Sequence, residues 1–311
     1  MGGGVYMNKR VVSYAIMAVL IGSVPLVFSQ QPPPGMKVYI SADMEGIGEV
    51  STWEKQSNPK GADYEKFRRL MTLEVNAATD GAFDAGATYV LVSDSHWDGQ
   101  NIDPELLDKR AELVRSWPRR LDMMEGIDDT FAAAVFVGYH SGEGYPDAIL
   151  AHTHDALSVL EVKLNGVPVP EAGINAAIAG EFGVPVVFVS GDQAIAEQCR
   201  QLLGPIETAV VKQALGFFAG IMVHPEESQR RIREGVKRGV ERRRQLSPYR
   251  LARPVKLEMS FKNQVIAELI SYLPGVERPR GNTVALTLKD MLEAAGVIQV
   301  FGNINIPLGV Q

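Results

Sequence analysis

Cysteine is nearly absent. Cys199 is the only one in 311 residues, so no internal disulfide and no thiolate-rich metal site can form. Positive charge is also short. Thirty-one Lys and Arg stand against 37 Asp and Glu, a formal net charge of −6. With no basic excess to neutralise phosphates, the composition argues against nucleic acid as a partner. Histidine is scarce, at five residues. Internal repeats, coiled-coil heptads and long low-complexity tracts are missing, which excludes solenoid and fibrous architectures. What is present is ordinary for a globular chain: 46% hydrophobic and 22% charged residues, enough to bury a full core. The length suits one large or two modest domains.

The amino-terminal 35 residues read as separate from the fold. Lys9 and Arg10 precede an apolar run from Val11 to Phe28, and Gln30-Gln31-Pro32-Pro33-Pro34-Gly35 follows as a linker. This is the plan of a secretory signal peptide ending near Ser29. The rival is an uncleaved membrane anchor, because the run approaches a spanning length. Removing residues 1–29 takes away Lys9 and Arg10 and leaves a net charge of −8.

From Lys37 the pattern predicts an α/β fold: a mixed or parallel central sheet with flanking helices, and a smaller α+β C-terminal portion. The expected divisions are 1–29 signal peptide, 30–35 linker, 36–224 catalytic domain and 225–311 C-terminal portion. Short apolar runs at 37–42, 88–93, 132–138 and 184–190 predict buried strands, and 208–211 a short one. Phe67, Leu70, Met71, Val75, Ala78 and Phe83 give helical spacing over 62–85. Asn165-Gly166 between two strand-like arms predicts a hairpin with a two-residue turn. The Arg-rich stretch 226–245 reads as a solvated helix face. Beyond it, 255–261 and 283–288 read as strands, and segments near 263–272 and 289–296 as helices.

Three of the predicted strands end in chemistry. The first runs into Asp43-Met44-Glu45-Gly46-Ile47-Gly48, the second into Asp94-Ser95-His96 and the third into Tyr139-His140. Ligands of open α/β sheets collect outside the carboxyl ends of strands. Imidazole and carboxylate together suit zinc and its first-row neighbours. Two such metals about 3.5–4 Å apart need roughly two ligands each and a shared carboxylate. Asp43, Glu45, His96, His140 and Glu171 would supply them. Asp94, two residues before His96, could orient its ring or be a plain turn acid. A solvated acidic turn is the alternative for Asp43 and Glu45.

The blocks Ser-Ala-Asp43-Met-Glu45-Gly-Ile, Ser-Asp-Ser-His96, Met124-Glu-Gly-Ile-Asp-Asp-Thr-Phe131, Gly-Tyr-His140, Ala-His152-Thr, Asn165-Gly-x-Pro-x-x-Glu171-x-Gly-Ile-Asn, Val-Ser-Gly-Asp192 and Val-Lys212-Gln resemble the zinc D-aminopeptidase family. The likeness runs from about Met36 to about Ala295. It continues in Ser-Phe261-Lys-Asn263 and Leu-Pro-Gly275-Val-Glu277. The resemblance implies that Asp43, Glu45, His96, His140 and Glu171 bind two Zn2+ ions per chain, with His152 the catalytic histidine. It further implies a homo-oligomer, a toroidal decamer enclosing the active sites, and release of N-terminal residues, notably D-alanine, from short peptides. Two features depart from the typical member. The Ser141–Leu150 loop is one residue longer and carries Glu143 where a basic residue is expected nearby. The leader is also unusual, and it places the protein in the periplasm or outside the cell, or on the membrane if it stays uncleaved.

The resulting expectation is metal-assisted amide hydrolysis with His152 as base or nucleophile. Lys212, or N–H groups near Gly46 and Gly48, would stabilise the oxyanion; a structural cation is the other reading of Lys212. His154 competes with His152, since on a strand the two would share a face. The rival functions are a secreted peptide-binding transport component with a structural metal site, and a metallo-hydrolase acting on another bond.

Overall fold

The computed structural model describes residues 1–3 and 35–304. The apolar run of the leader and the Gln30–Pro34 stretch of the linker fall outside the described residues. Residues 35–304 form one compact unit.

Strands β1 (Lys37–Ala42), β2 (Tyr89–Asp94), β3 (Ala111–Val114), β4 (Phe131–Val137), β7 (Val186–Asp192), β8 (Glu207–Gly216) and β9 (Ala219–Met222) form a seven-stranded sheet. Its order is β3-β2-β1-β4-β7-β8-β9. All neighbours are parallel except β8 and β9, which form an antiparallel hairpin. Parallel strands covered on both faces need near-continuous apolar runs. The central ones have them: Val38, Tyr39, Ile40 and Val135, Phe136, Val137 are fully buried. Alternation splits these runs between two cores. Val38, Ile40 and Ala42 face one side of the sheet and Tyr39 the other.

Helices α1 (Tyr64–Asp84) and α4 (Pro225–Glu241) cover the first side. α1 presents Phe67, Met71, Val75, Ala78 and Ala82 to it, spaced by three and four, while Gly86, at φ +92°, lies just past its end. On the other side lie α2 (Glu171–Glu181), α3 (Gln193–Leu203) and α6 (Met291–Gly302). Beyond them is an antiparallel sheet of order β11-β12-β10-β5-β6. It comprises β5 (Val159–Leu164), β6 (Val167–Pro168), β10 (Val255–Phe261), β11 (Glu277–Arg280) and β12 (Thr283–Leu288), with α5 (Gln264–Ile270) after β10. Asn165 and Gly166 join β5 to β6, both at positive φ, as a type I′ turn requires.

The C-terminal portion expected to begin at 225 is not a separate packing unit. β10 pairs with β5 in one sheet, and α4 packs on α1. β5 and β6 cannot bury their inner face until the later strands join them, which ties the two stretches into one core. β8 extends past the short strand expected at 208–211, because its second half pairs with β9.

Candidate metal centre

The sheet has its topological switch point between β1 and β4, since the chain moves left from β1 to β2 and then returns to β4 on the right. Ala42 sits level with Asp94 on β2 and Val137 on β4. The segments that follow, with Asp43, His96 and His140, therefore emerge together in that crevice. Glycine permits the close approach. Gly46 N–H donates to the Gly138 carbonyl at 2.7 Å, and a Cβ on Gly46 would run into the Tyr139 carbonyl. Gly138 has φ +72°, a conformation other residues adopt at a cost.

Asp43 is the centre of the cluster. Its Oδ1 lies 3.3 Å from His96 Nδ1 and its Oδ2 3.2 Å from His140 Nε2. Glu45 Oε2 is 2.9 Å from His96 Nδ1. Glu171 Oε2 is 3.5 Å from His140 Nε2. Glu171 opens α2, where the helix dipole favours a carboxylate, and its Oε1 accepts the His154 N–H at 2.6 Å.

The outward nitrogens of the imidazoles are tied to backbone. His96 Nε2 donates to the Ser57 carbonyl at 2.8 Å, His140 Nδ1 to the Ser141 carbonyl at 3.1 Å and His152 Nδ1 to the Leu150 carbonyl at 2.8 Å. Metal-binding histidines are held in this way, the outer N–H on an acceptor and the inner nitrogen free to ligate. The inner nitrogens of His96 and His140 face carboxylate oxygens. A lone pair set against a carboxylate is repulsive unless a cation lies between. Asp43 Oδ2 is buried beside His140 without hydrogen-bond geometry. The donor set therefore fits metal ions, and its mix of imidazole and carboxylate fits zinc. Asp43, Glu45 and His140 form one group with ligand atoms within 4.8 Å of one another, and His140, His152 and Glu171 form another.

The imidazoles and carboxylates of the cluster shift one another's protonation. Burial alone would lower the pKa values of His96 and His140. The carboxylates facing them, Glu45 and Asp43 for the first, Glu171 and Asp43 for the second, raise both well above the ordinary value. Burial would likewise raise Asp43 and Glu171, but the imidazoles hold both below the usual carboxylate range. Metal binding here must displace protons.

His152 stacks on His140 with ring centroids 3.9 Å apart and planes 6° apart. The Trp53 ring stands perpendicular to it, with centroids 5.5 Å apart. Burial, and then the charge on His140, lower its pKa, which leaves its inner nitrogen unprotonated at neutral pH. His154 is not on a strand and does not share this face. Its positive φ of 62° turns it to Asp122, whose Oδ2 lies 3.0 Å from Nε2. Burial works against protonation of His154, yet Asp122 raises its pKa to about 9.

Asp94 and Lys212 each take the second of the two roles open to them, a turn acid and a structural cation. Asp94 does not meet the His96 ring. Its oxygens accept Asn101 Nδ2 and Ile102 N–H, each at 2.7 Å, and Asn101 in turn donates to the His96 carbonyl at 2.5 Å. Asp94 therefore fixes the loop beneath His96, and Ser57 fixes the ring. Lys212 does not line the cavity as an oxyanion donor would. Its buried ammonium donates to the carbonyls of Glu45, Ile47 and Val50, which engages all three of its hydrogens in the turn that follows Asp43. In the Ser141–Leu150 loop, Glu143 pairs with Lys262 at 3.0 Å.

The cluster forms one end of a cavity of about 490 Å³. Five carboxylates line it, on Asp43, Glu45, Asp122, Asp155 and Glu171, and no Lys or Arg is among the lining residues. Trp53, Asp122 and the end of α6, with Gln299, Gly302 and Asn303, are walls that the sequence reading missed. Asp122 and the end of α6 arrive from distant segments, and no local pattern marks them or Trp53. Positive φ at Asp122 is visible only in the fold.

The family described as D-aminopeptidase matches residues 36–300. A D-aminopeptidase of Bacillus subtilis strain 168 is 36% identical over 261 residues, 83% of this chain and 94% of the relative. A solved structure, described as the Zn-dependent D-aminopeptidase DppA from Bacillus subtilis, a self-compartmentalizing protease, matches with a TM-score of 0.83 and 34% identity. The match covers 86% of this chain and 96% of that one. The chain belongs to the D-aminopeptidase family.

Proposed function

We propose that this protein is a zinc-dependent aminopeptidase that removes N-terminal D-residues, D-alanine above all, from short peptides, with two zinc ions per chain. The observation that carries the reading is Asp43, which sets one oxygen toward His96 and the other toward His140. Such a carboxylate is suited to two ions side by side, with Glu45 and His96 completing one site and His140 and Glu171 the other. Zinc held there supplies Lewis acidity toward the scissile carbonyl and a water acidified toward neutrality.

The chain's own residues account for the rest. With Asp43, Glu45 and Glu171 committed to zinc and Asp122 paired with His154, Asp155 is the carboxylate left in a lining that holds no Lys or Arg, and it favours the ammonium end of a peptide over its carboxylate end. The one cationic imidazole at the far side, His154, is already paired with Asp122. This polarity supports cleavage from the amino terminus. His152 is the general base: Leu150 holds its Nδ1–H, burial keeps it neutral, and Trp53 and His140 fix its ring. A second reading makes His152 a ligand, because it shares a three-donor group with His140 and Glu171.

The leader supports secretion or a periplasmic location, with processing near Ser29, and the relative's self-compartmentalizing character supports a homo-oligomer. Incubation of the zinc-loaded protein with paired D- and L-aminoacyl amides and dipeptides tests the activity. Release of D-alanine well ahead of L-alanine is expected. Hydrolysis of an ester or phosphate, with no amide cleaved, would overturn it.

A further inference from the structure

All three tryptophans of the chain, Trp53, Trp97 and Trp117, line the cavity. Trp53 packs on His152, and the Trp117 ring lies under the guanidinium of Arg119 at 4.2 Å. Trp97 is different. It is 60% exposed, and its backbone has φ +49°, a region that a bulky residue enters only at a cost. Its loop is nonetheless firmly held, because the His96 carbonyl accepts the Gly99 N–H at 2.8 Å and Asn101 Nδ2 at 2.5 Å. The indole stands beside the His96 ring, with centroids 6.3 Å apart.

Leu157 repeats the pattern from another loop. It lines the cavity and is 87% exposed. Asp155 Oδ1 accepts its N–H at 2.9 Å, and the Asp155 carbonyl accepts the N–H groups of Ser158 and Val159 at 3.1 and 2.9 Å. Trp97, Leu157 and Asn303 are the exposed members of the cavity lining, and none of them is charged. At the other end Asp43, Glu45 and Glu171 are buried. The cavity therefore runs from a buried, charged floor to an uncharged lip that carries two large apolar side chains. Residues held in costly backbone conformations cluster at ligand clamps, and exposed apolar groups at a cleft mark a contact surface.

We infer that Trp97 and Leu157 are specificity-determining residues, which grip a large apolar side chain on the substrate residue just beyond the scissile bond. The inference rests on the aminopeptidase reading and deepens it. An enzyme that takes the amino terminus of a peptide holds that end at the buried floor, so the rest of the peptide leaves through the opening. The first residue to leave meets the lip. The lip offers it no charged partner, and apolar burial against an indole and a leucine favours phenylalanine there over glycine.

Release of D-alanine from D-alanyl-phenylalanine amide and D-alanyl-glycine amide tests it, on the zinc-loaded parent, Trp97→Ala, Trp97→Phe and Leu157→Ser. Zinc content and light-scattering mass are measured alongside. The parent should favour the phenylalanine compound by about tenfold or more in kcat/KM. Trp97→Ala should lose most of that preference through a higher KM, with zinc and mass unchanged, while Trp97→Phe should keep it. Leu157→Ser should shift it in the same direction as Trp97→Ala. A parent indifferent to the second residue, or variants that weaken both compounds equally, overturns the inference and leaves the aminopeptidase reading standing. A fall in mass in both Trp97→Ala and Leu157→Ser does the same, since the lip would then be a wall between copies. A parent that cleaves neither amide overturns both.

Discussion

Replacing His152 by alanine removes an imidazole whose outer nitrogen is bound to the Leu150 carbonyl and whose ring packs against Trp53 and His140. If it serves as the base, the variant keeps its zinc and loses roughly 10²–10⁴ in kcat, the range of a positioned acid–base group. If it serves as a ligand, zinc and activity fall together. His154→Ala is the contrast. It deletes the partner of Asp122 but keeps the backbone N–H that holds Glu171, so zinc should stay and kcat should fall by about tenfold at most. Zinc analysis and kinetics on both variants separate the cases. The two histidines look equivalent in Ala-His-Thr-His, and only the positive φ at His154 tells them apart. Side-chain direction at a left-handed residue is fixed by tertiary contacts, so the residue pattern alone left this division of roles open, and only the family resemblance assigned the catalytic one to His152.

At the scale of elements, the turn after β1 that carries Asp43 and Glu45 is held from beneath by α1 and β8. Glu74 of α1 accepts the Gly48 N–H at 2.9 Å, and Lys212 of β8 gathers three carbonyls of the same turn. Burial raises the Glu74 pKa from 4.5 to about 7, against the lowering effects of Gly48 and Lys212. The folded chain thus holds a proton on Glu74 that the unfolded chain has released above pH 4.5. Stability from this group falls as pH rises from 4.5 to 7, by on the order of 3 kcal/mol in all. Glu74→Gln keeps the acceptor and removes the titration. Urea unfolding at pH 5 and pH 8 should show the variant gaining on the parent as pH rises; parallel curves would mean that Glu74 stays ionised throughout. The long apolar strands and α1 were readable because burial on both faces, or on one helical stripe, leaves a pattern in the chain. β3, β9 and β11, of four residues each, were not, since short edge strands gain their order from a neighbour.

At the scale of the molecule, the cavity draws its polar floor from the ends of β1, β2 and β4 and its far wall from α6. The floor could be read from the sequence, because each ligand-type residue follows an apolar run. The far wall could not, because α6 reaches it only after β10 and β12 have joined β5 and built the sheet on which it rests. One measurement tests the central claim, that Asp43 joins two zinc sites in this crevice. Zinc per chain is determined on the parent and on Asp43→Ala, both purified without chelator. About two ions in the parent and loss of most of both in the variant are predicted. A parent with no bound metal, or a variant that keeps its full complement, would contradict it.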